Sequence, residues 1–187
     1  MLRNVLLAFL AALAADNSRA SIVSLAGTFT TDDQLELIPI VLGRRSLVDA
    51  QTLSYAAGGF DPTLSLFAGT GSKELLASNE DMAPGMLDAQ VIAALDAGSY
   101  TLAVTESPNR AFGPTLADGF PFTGTGNFTG GPFLDIFGQQ RTGAWALTVE
   151  MTPLNTTPTP EPAGTTLAGV VLLGCAYLLR KRRRALP

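Results

Sequence analysis

Hydrophobic and polar residues alternate with a period of two along much of the chain. Leu64, Leu66 and Ala68 alternate with Thr63, Ser65 and Phe67; Tyr100, Leu102 and Val104 with Thr101, Ala103 and Thr105; Trp145, Leu147 and Val149 with Ala146, Thr148 and Glu150. This period sets one row of side chains against a core and the other toward solvent, as in half-buried strands. The same pattern predicts strands at Val23–Thr30, Leu35–Leu42, Leu47–Tyr55, Leu75–Ser78 and Gln90–Leu95. Turn-forming residues separate them: Gly43, Gly58-Gly59, Gly69-Thr70-Gly71, Pro84-Gly85, Asp96-Ala97-Gly98 and Pro108-Asn109. Short strands punctuated this regularly predict an all-β fold, an antiparallel β-sandwich of two sheets. Pro39 has no N–H to give a ladder, so its strand is expected at a sheet edge or at a bulge.

Two apolar stretches break the alternation, one at each end. Met1-Leu2-Arg3 followed by apolar Val5 to Leu13 has the make-up of a signal helix, with Ala12-Leu13-Ala14 or Ser18-Arg19-Ala20 offering the small-x-small pattern that signal peptidase requires. At the other end Ala163 to Leu179 is uncharged and is followed by Arg180, Lys181, Arg182, Arg183 and Arg184. That run sits at the lower limit of what crosses a bilayer core of about 30 Å as a helix. The cations resist translocation, so they are expected to stay in the cytoplasm and leave everything before Pro160 outside. The expected organisation is a signal peptide over 1–20, an ectodomain over 21–151, a Thr/Pro-rich stalk over 152–162, one transmembrane helix over 163–179 and a basic cytoplasmic tail over 180–187. Such a stalk is extended and does not pack.

Pro160-Glu161-Pro162, the apolar segment and the arginine cluster, in that order, resemble the PEP-CTERM sorting signal of Gram-negative bacteria. The resemblance implies recognition at Pro160, Glu161 and Pro162 by an exosortase, a membrane-embedded cysteine protease, with Arg180, Lys181, Arg182, Arg183 and Arg184 as the stop. It further implies an intermediate in the inner membrane, and then release to the cell surface or the extracellular matrix.

Composition narrows what the middle does. Arg3 and the five tail cations are half of the twelve Lys and Arg, so six basic residues remain beside the chain's sixteen Asp and Glu. An acidic ectodomain argues against nucleic acid as partner, which needs clustered Lys and Arg. The one cysteine, Cys175, lies in the apolar tail, so no intramolecular disulfide forms. There is no histidine, which removes Ser-His-Asp and Cys-His catalysis and His-ligated zinc together. No pair of carboxylates stands out as a glycosidase pair, and no catalytic residue is expected.

From Ser107 to Thr142 seven glycines are interleaved with Phe112, Phe120, Phe122, Phe128, Phe133 and Phe137. A structureless loop of that length is unusual, so part of it is expected to pack, with aromatics pinning it to the sandwich. The same aromatics suit a face that stacks on extracellular polysaccharide.

Four stretches carry a second resemblance: Gly27 to Gln34; Gly59-Phe60-Asp61-Pro62 leading into Leu64-Ser65-Leu66-Phe67; Leu95 to Leu102; and Arg141 to Leu147. They are similar to an ectodomain that recurs on PEP-CTERM proteins and to the bacterial pre-peptidase C-terminal domain, a jelly-roll-like β-sandwich. That pattern reads Asn-Asp-Asp where this chain has Asn79-Glu80-Asp81, so the acidic loop is kept in kind only. The resemblance brings no catalytic activity with it. Asp61, Asn79, Asp81 and Asp88 fall in turns that a sandwich can gather at one end, which makes them a candidate Ca²⁺ set, although their spacing is not that of an EF-hand. Asp32-Asp33 fits a turn before a strand equally well.

Overall fold

The computed structural model describes residues 19–69 and 74–154. The expected signal helix, the Pro160-Glu161-Pro162 motif, the transmembrane segment 163–179 and the cations 180–184 lie outside the described residues. Among the described residues no helix is long and apolar enough to cross a membrane.

Eight strands form: β1 (Ser21–Thr28), β2 (Leu35–Leu42), β3 (Ser46–Thr52), β4 (Pro62–Ala68), β5 (Leu75–Asn79), β6 (Gln90–Leu95), β7 (Gly98–Glu106) and β8 (Ala144–Pro153). The only described helix is a 3₁₀ turn at Leu116–Asp118. The strands make two four-stranded sheets, ordered β1-β8-β3-β6 and β2-β7-β4-β5. Every pairing is antiparallel. The fold is therefore an all-β, two-sheet antiparallel sandwich. Pro39 lies in β2, an edge strand, where a residue without an N–H is tolerated. β8 extends to Pro153, which pairs with Ser46, so the strand takes in Thr152 and Pro153, the first residues of the expected stalk. The first compact unit of the chain ends at Leu154.

The register fixes which loops share an end. Each strand runs opposite to the one before it, so the connections after β1, β3, β5 and β7 all emerge at one end. Those are residues 29–34, 53–61, 80–89 and 107–143. Among the described residues the opposite end carries the connections 43–45 and 96–97. Asp32, Asp33, Asp61, Glu80, Asp81, Asp88 and Asp135 all belong to the long loops, and Glu106 closes β7 at the same end.

Between the sheets Ile38, Ile40, Val48, Leu64, Leu66, Leu102, Val104, Leu147 and Val149 form the core. At the loop end it continues as a column of rings. Phe29 stacks on Phe60 at 5.2 Å and Phe60 on Phe133 at 5.7 Å, with Trp145 tilted against Phe29. Phe133 reaches this column from the long loop with φ at 56°, a conformation that costs a non-glycine residue energy and that ring packing offsets.

One expectation fails instructively. Thr63, Ser65 and Phe67 were expected to face solvent, as were Thr101, Ala103 and Thr105, yet all six are buried. The long loop folds back over the outer face of the second sheet, where Phe120 meets Phe67 edge-on at 6.3 Å and Ala103 lies beneath. The two central strands β4 and β7 are thus buried on both faces, which strand periodicity alone does not distinguish from one.

Candidate functional site

The loop end is held together by carboxylates that accept backbone N–H groups. Asp32 accepts from the amides of Phe128 (2.8 Å) and Thr129 (3.1 Å) and from the Thr129 hydroxyl. Asp33 accepts from the amides of Gly124 (3.0 Å) and Gly126 (2.9 Å). The Thr31 side chain foremost, with those two amides and against the effect of burial, holds the Asp33 carboxyl below its ordinary value. Together the two aspartates tie the β1–β2 turn to the glycine-rich loop. Asp88 accepts from the Thr52 hydroxyl (3.0 Å) and from the amides of Tyr55 (3.1 Å) and Ala56 (3.0 Å). Asp135 accepts from the Tyr55 hydroxyl (2.9 Å) and from the amides of Phe137 (3.0 Å) and Gln139 (2.8 Å). Burial raises its carboxyl, but the Gln139 amide, the Tyr55 hydroxyl and the Phe137 amide outweigh that and leave it below the ordinary range. Arg141 binds the Gly59 and Tyr55 carbonyls and lies 3.9 Å over the Tyr55 ring.

Two acids in the same place have no such partners. Asp61 is 4 % exposed and Glu106 0 % exposed. Asp61 Oδ1 and both Glu106 carboxylate oxygens are buried without a hydrogen-bond partner among the described residues. Glu106 pairs with Pro62, the residue after Asp61, and continues the core-facing row Leu102, Val104 by strand alternation. Desolvation foremost, then the nearby charges of Asp81, Glu80, Asp135 and Asp88, pushes Asp61 up to about 7. Desolvation again, then Asp61 and Asp32, pushes Glu106 up to about 9; the Asp61 amide draws it back without reaching hydrogen-bond geometry. Thr63 Oγ1 and Asn109 Nδ2 are unpartnered too. Thr63 is one residue out of phase with that row and so belongs to the face under the loop, where the Thr105 hydroxyl donates to the Asn109 carbonyl at 2.6 Å.

Above the two acids is an open cavity of about 270 Å³ lined by Asp61, Glu106, Ser107, Pro108, Phe122, Phe128, Thr129, Leu134, Asp135 and Ile136. Phe122 and Phe128 stack on one another at 4.4 Å and form one wall. The site therefore has an anionic floor and apolar walls.

Of the residues singled out from the sequence, Asp61 lies in this floor, and Asp81 and Asp88 are near enough to act on its charge. Asn79 instead accepts the Gln90 amide at 3.0 Å, Asp88 is engaged with the 52–56 turn, and Asp81 is exposed. Among the described residues no three His, Cys, Asp or Glu side chains come together as a metal cluster. Sequence reasoning missed Glu106 and Asp135. A signal for Glu106 existed, because a carboxylate two residues beyond Leu102 and Val104 occupies a core-facing position.

Fold and site together define a β-sandwich domain with an acidic, loop-built end. No protein-family model matches the chain, and no curated protein matches it. Among solved structures it is similar to the pre-peptidase C-terminal domain of a collagenase from Bacillus anthracis, with 12 % identity and a TM-score of 0.38, over 70 % of this chain and 86 % of that one. A likeness that slight says nothing about activity.

Proposed function

We propose that this chain is a non-enzymatic secreted protein of the cell surface or extracellular matrix, exported by a signal peptide, held briefly in the inner membrane by its PEP-CTERM-like tail and processed by an exosortase. The observation that carries this reading is the order Pro160-Glu161-Pro162, apolar Ala163 to Leu179, then Arg180 to Arg184. The first compact unit ending at Leu154 supports it, because cleavage in a Thr/Pro-rich stalk beyond that point leaves the sandwich whole. The test is the intact mass of the mature protein from envelope and medium, in normal cells and in cells lacking the processing protease. A form ending near Pro160 to Pro162 only when the protease is present is expected; an uncut tail in both strains refutes sorting and makes the chain an ordinary anchored protein.

A surface module that binds extracellular polysaccharide or another protein is the second reading, favoured by Phe112 and Phe137 on the long loop, which are 75 % and 66 % exposed. Saturable binding that disappears in Phe137→Ala without loss of folding is its signature. Phe120 belongs to neither reading, since it is buried against Phe67.

A further inference from the structure

We infer that Asp61 and Glu106 are the anionic ligands of a divalent-cation site, suited to Ca²⁺, at the floor of the loop-end cavity. Asp32, Asp33, Asp88 and Asp135 lie at the same end, and each is occupied by two or more N–H or O–H donors. Asp61 Oδ1 and the two Glu106 oxygens have none, although both residues are as fully buried as the engaged acids. Buried carboxylates are paired, metal-bound or neutralised. Water does not supply the pairing, because these oxygens expose less than 1 Å² each to it. Ca²⁺ approaches an oxygen to about 2.4 Å, closer than a hydrogen-bonded water, and so fits a gap that excludes water.

A divalent ion cancels both charges, whereas a monovalent ion leaves one buried. With no third acidic side chain in the group among the described residues, the remaining positions fall to water on the side of the ion that faces the open cavity. So low a ligand charge places affinity at the weak end of the Ca²⁺ range, about 10⁻⁴ to 10⁻³ M, as in extracellular modules. Asp61 is shared with the set read from the sequence; Glu106 replaces Asn79, Asp81 and Asp88.

The experiment uses the full-length chain in detergent micelles, stripped with EGTA, followed by calorimetric titration with CaCl₂ and by thermal unfolding with and without millimolar Ca²⁺. Binding to the folded state alone raises the unfolding temperature. Glu106→Gln and Asp61→Asn are expected to weaken binding by at least about tenfold. In EGTA, Glu106→Gln is expected to be no less stable than the native chain, because without the ion burial keeps the carboxyl protonated and Gln has the size of that neutral form. Asp81→Asn, at an exposed position, is expected to keep the Ca²⁺ response. No heat and no shift with the native chain overturns the inference. So does a response that survives Glu106→Gln, or one lost in Asp81→Asn alone, which puts the ion in the outer loop.

Discussion

Single residues at the loop end do work that their type alone does not announce. Asp33 fastens two glycine amides of a loop more than ninety positions away in sequence. Asp33→Asn is expected to cost about 1–3 kcal/mol and to speed amide exchange at Gly124 and Gly126. The pH dependence has a fixed sign. The folded-state pKa lies below 3.8, so the stabilisation is complete above 3.8 and is lost as pH falls through the lowered value. Urea midpoints for the native chain and Asp33→Asn should therefore converge below pH 3.8 and stay apart above it. Gly143 is a different case. A Cβ there would lie 2.1 Å from the Phe29 carbonyl oxygen and 2.8 Å from the Phe133 ring. Gly143→Ala is expected to destabilise by about 1–3 kcal/mol, read as a lowered urea midpoint, because the obstacle includes backbone.

At the scale of elements the two sheets differ in their outer faces. The outer face of β4 and β7 is roofed by the long loop through Phe120 and Phe67. The face of β1-β8-β3-β6 carries Ile22 at 64 % and Ile92 at 56 % exposure. Phe120→Ala is expected to cost about 3 kcal/mol or more, as for a buried ring. Ile22→Ala should remain within about 0.5 kcal/mol, as for an open surface. Chemical denaturation of the two variants side by side measures the contrast, and equal effects would mean that the loop does not roof the sheet in solution.

For the molecule as a whole, the alternating strand directions bring four connections, the three longest among them, to one end. Acids placed in those connections become neighbours whatever their distance in sequence. Under the proposed sorting, cleavage at Pro160-Glu161-Pro162 removes the five cations of 180–184 from a chain of net charge −4. The released form should accordingly elute later from an anion exchanger than the uncut chain. Identical elution of the envelope and medium forms would count against removal of the tail.

The sequence by itself determined the two-sheet all-β class and the placing of the strands, and it narrowed the Pro39 strand to an edge or a bulge. These follow from period two and from turn chemistry, which are local. The proposed sorting reading of the tail is equally local, a matter of order and composition. Tertiary structure alone decided that β4 and β7 are buried on both sides, because the covering residue Phe120 lies more than fifty positions beyond Phe67. It also decided which carboxylates are engaged and which stand alone. Asp32, Asp33, Asp88 and Asp135 look like Asp61 in the sequence, and only the folded loops determine which of them meet N–H donors. Glu106 was half legible: the alternation of β7 pointed it inward, but nothing local placed it beside Asp61. A hydrogen bond or a charge contact depends on a few ångströms in space, and the chain sets that distance only when loops remote in sequence close over one end of the sandwich.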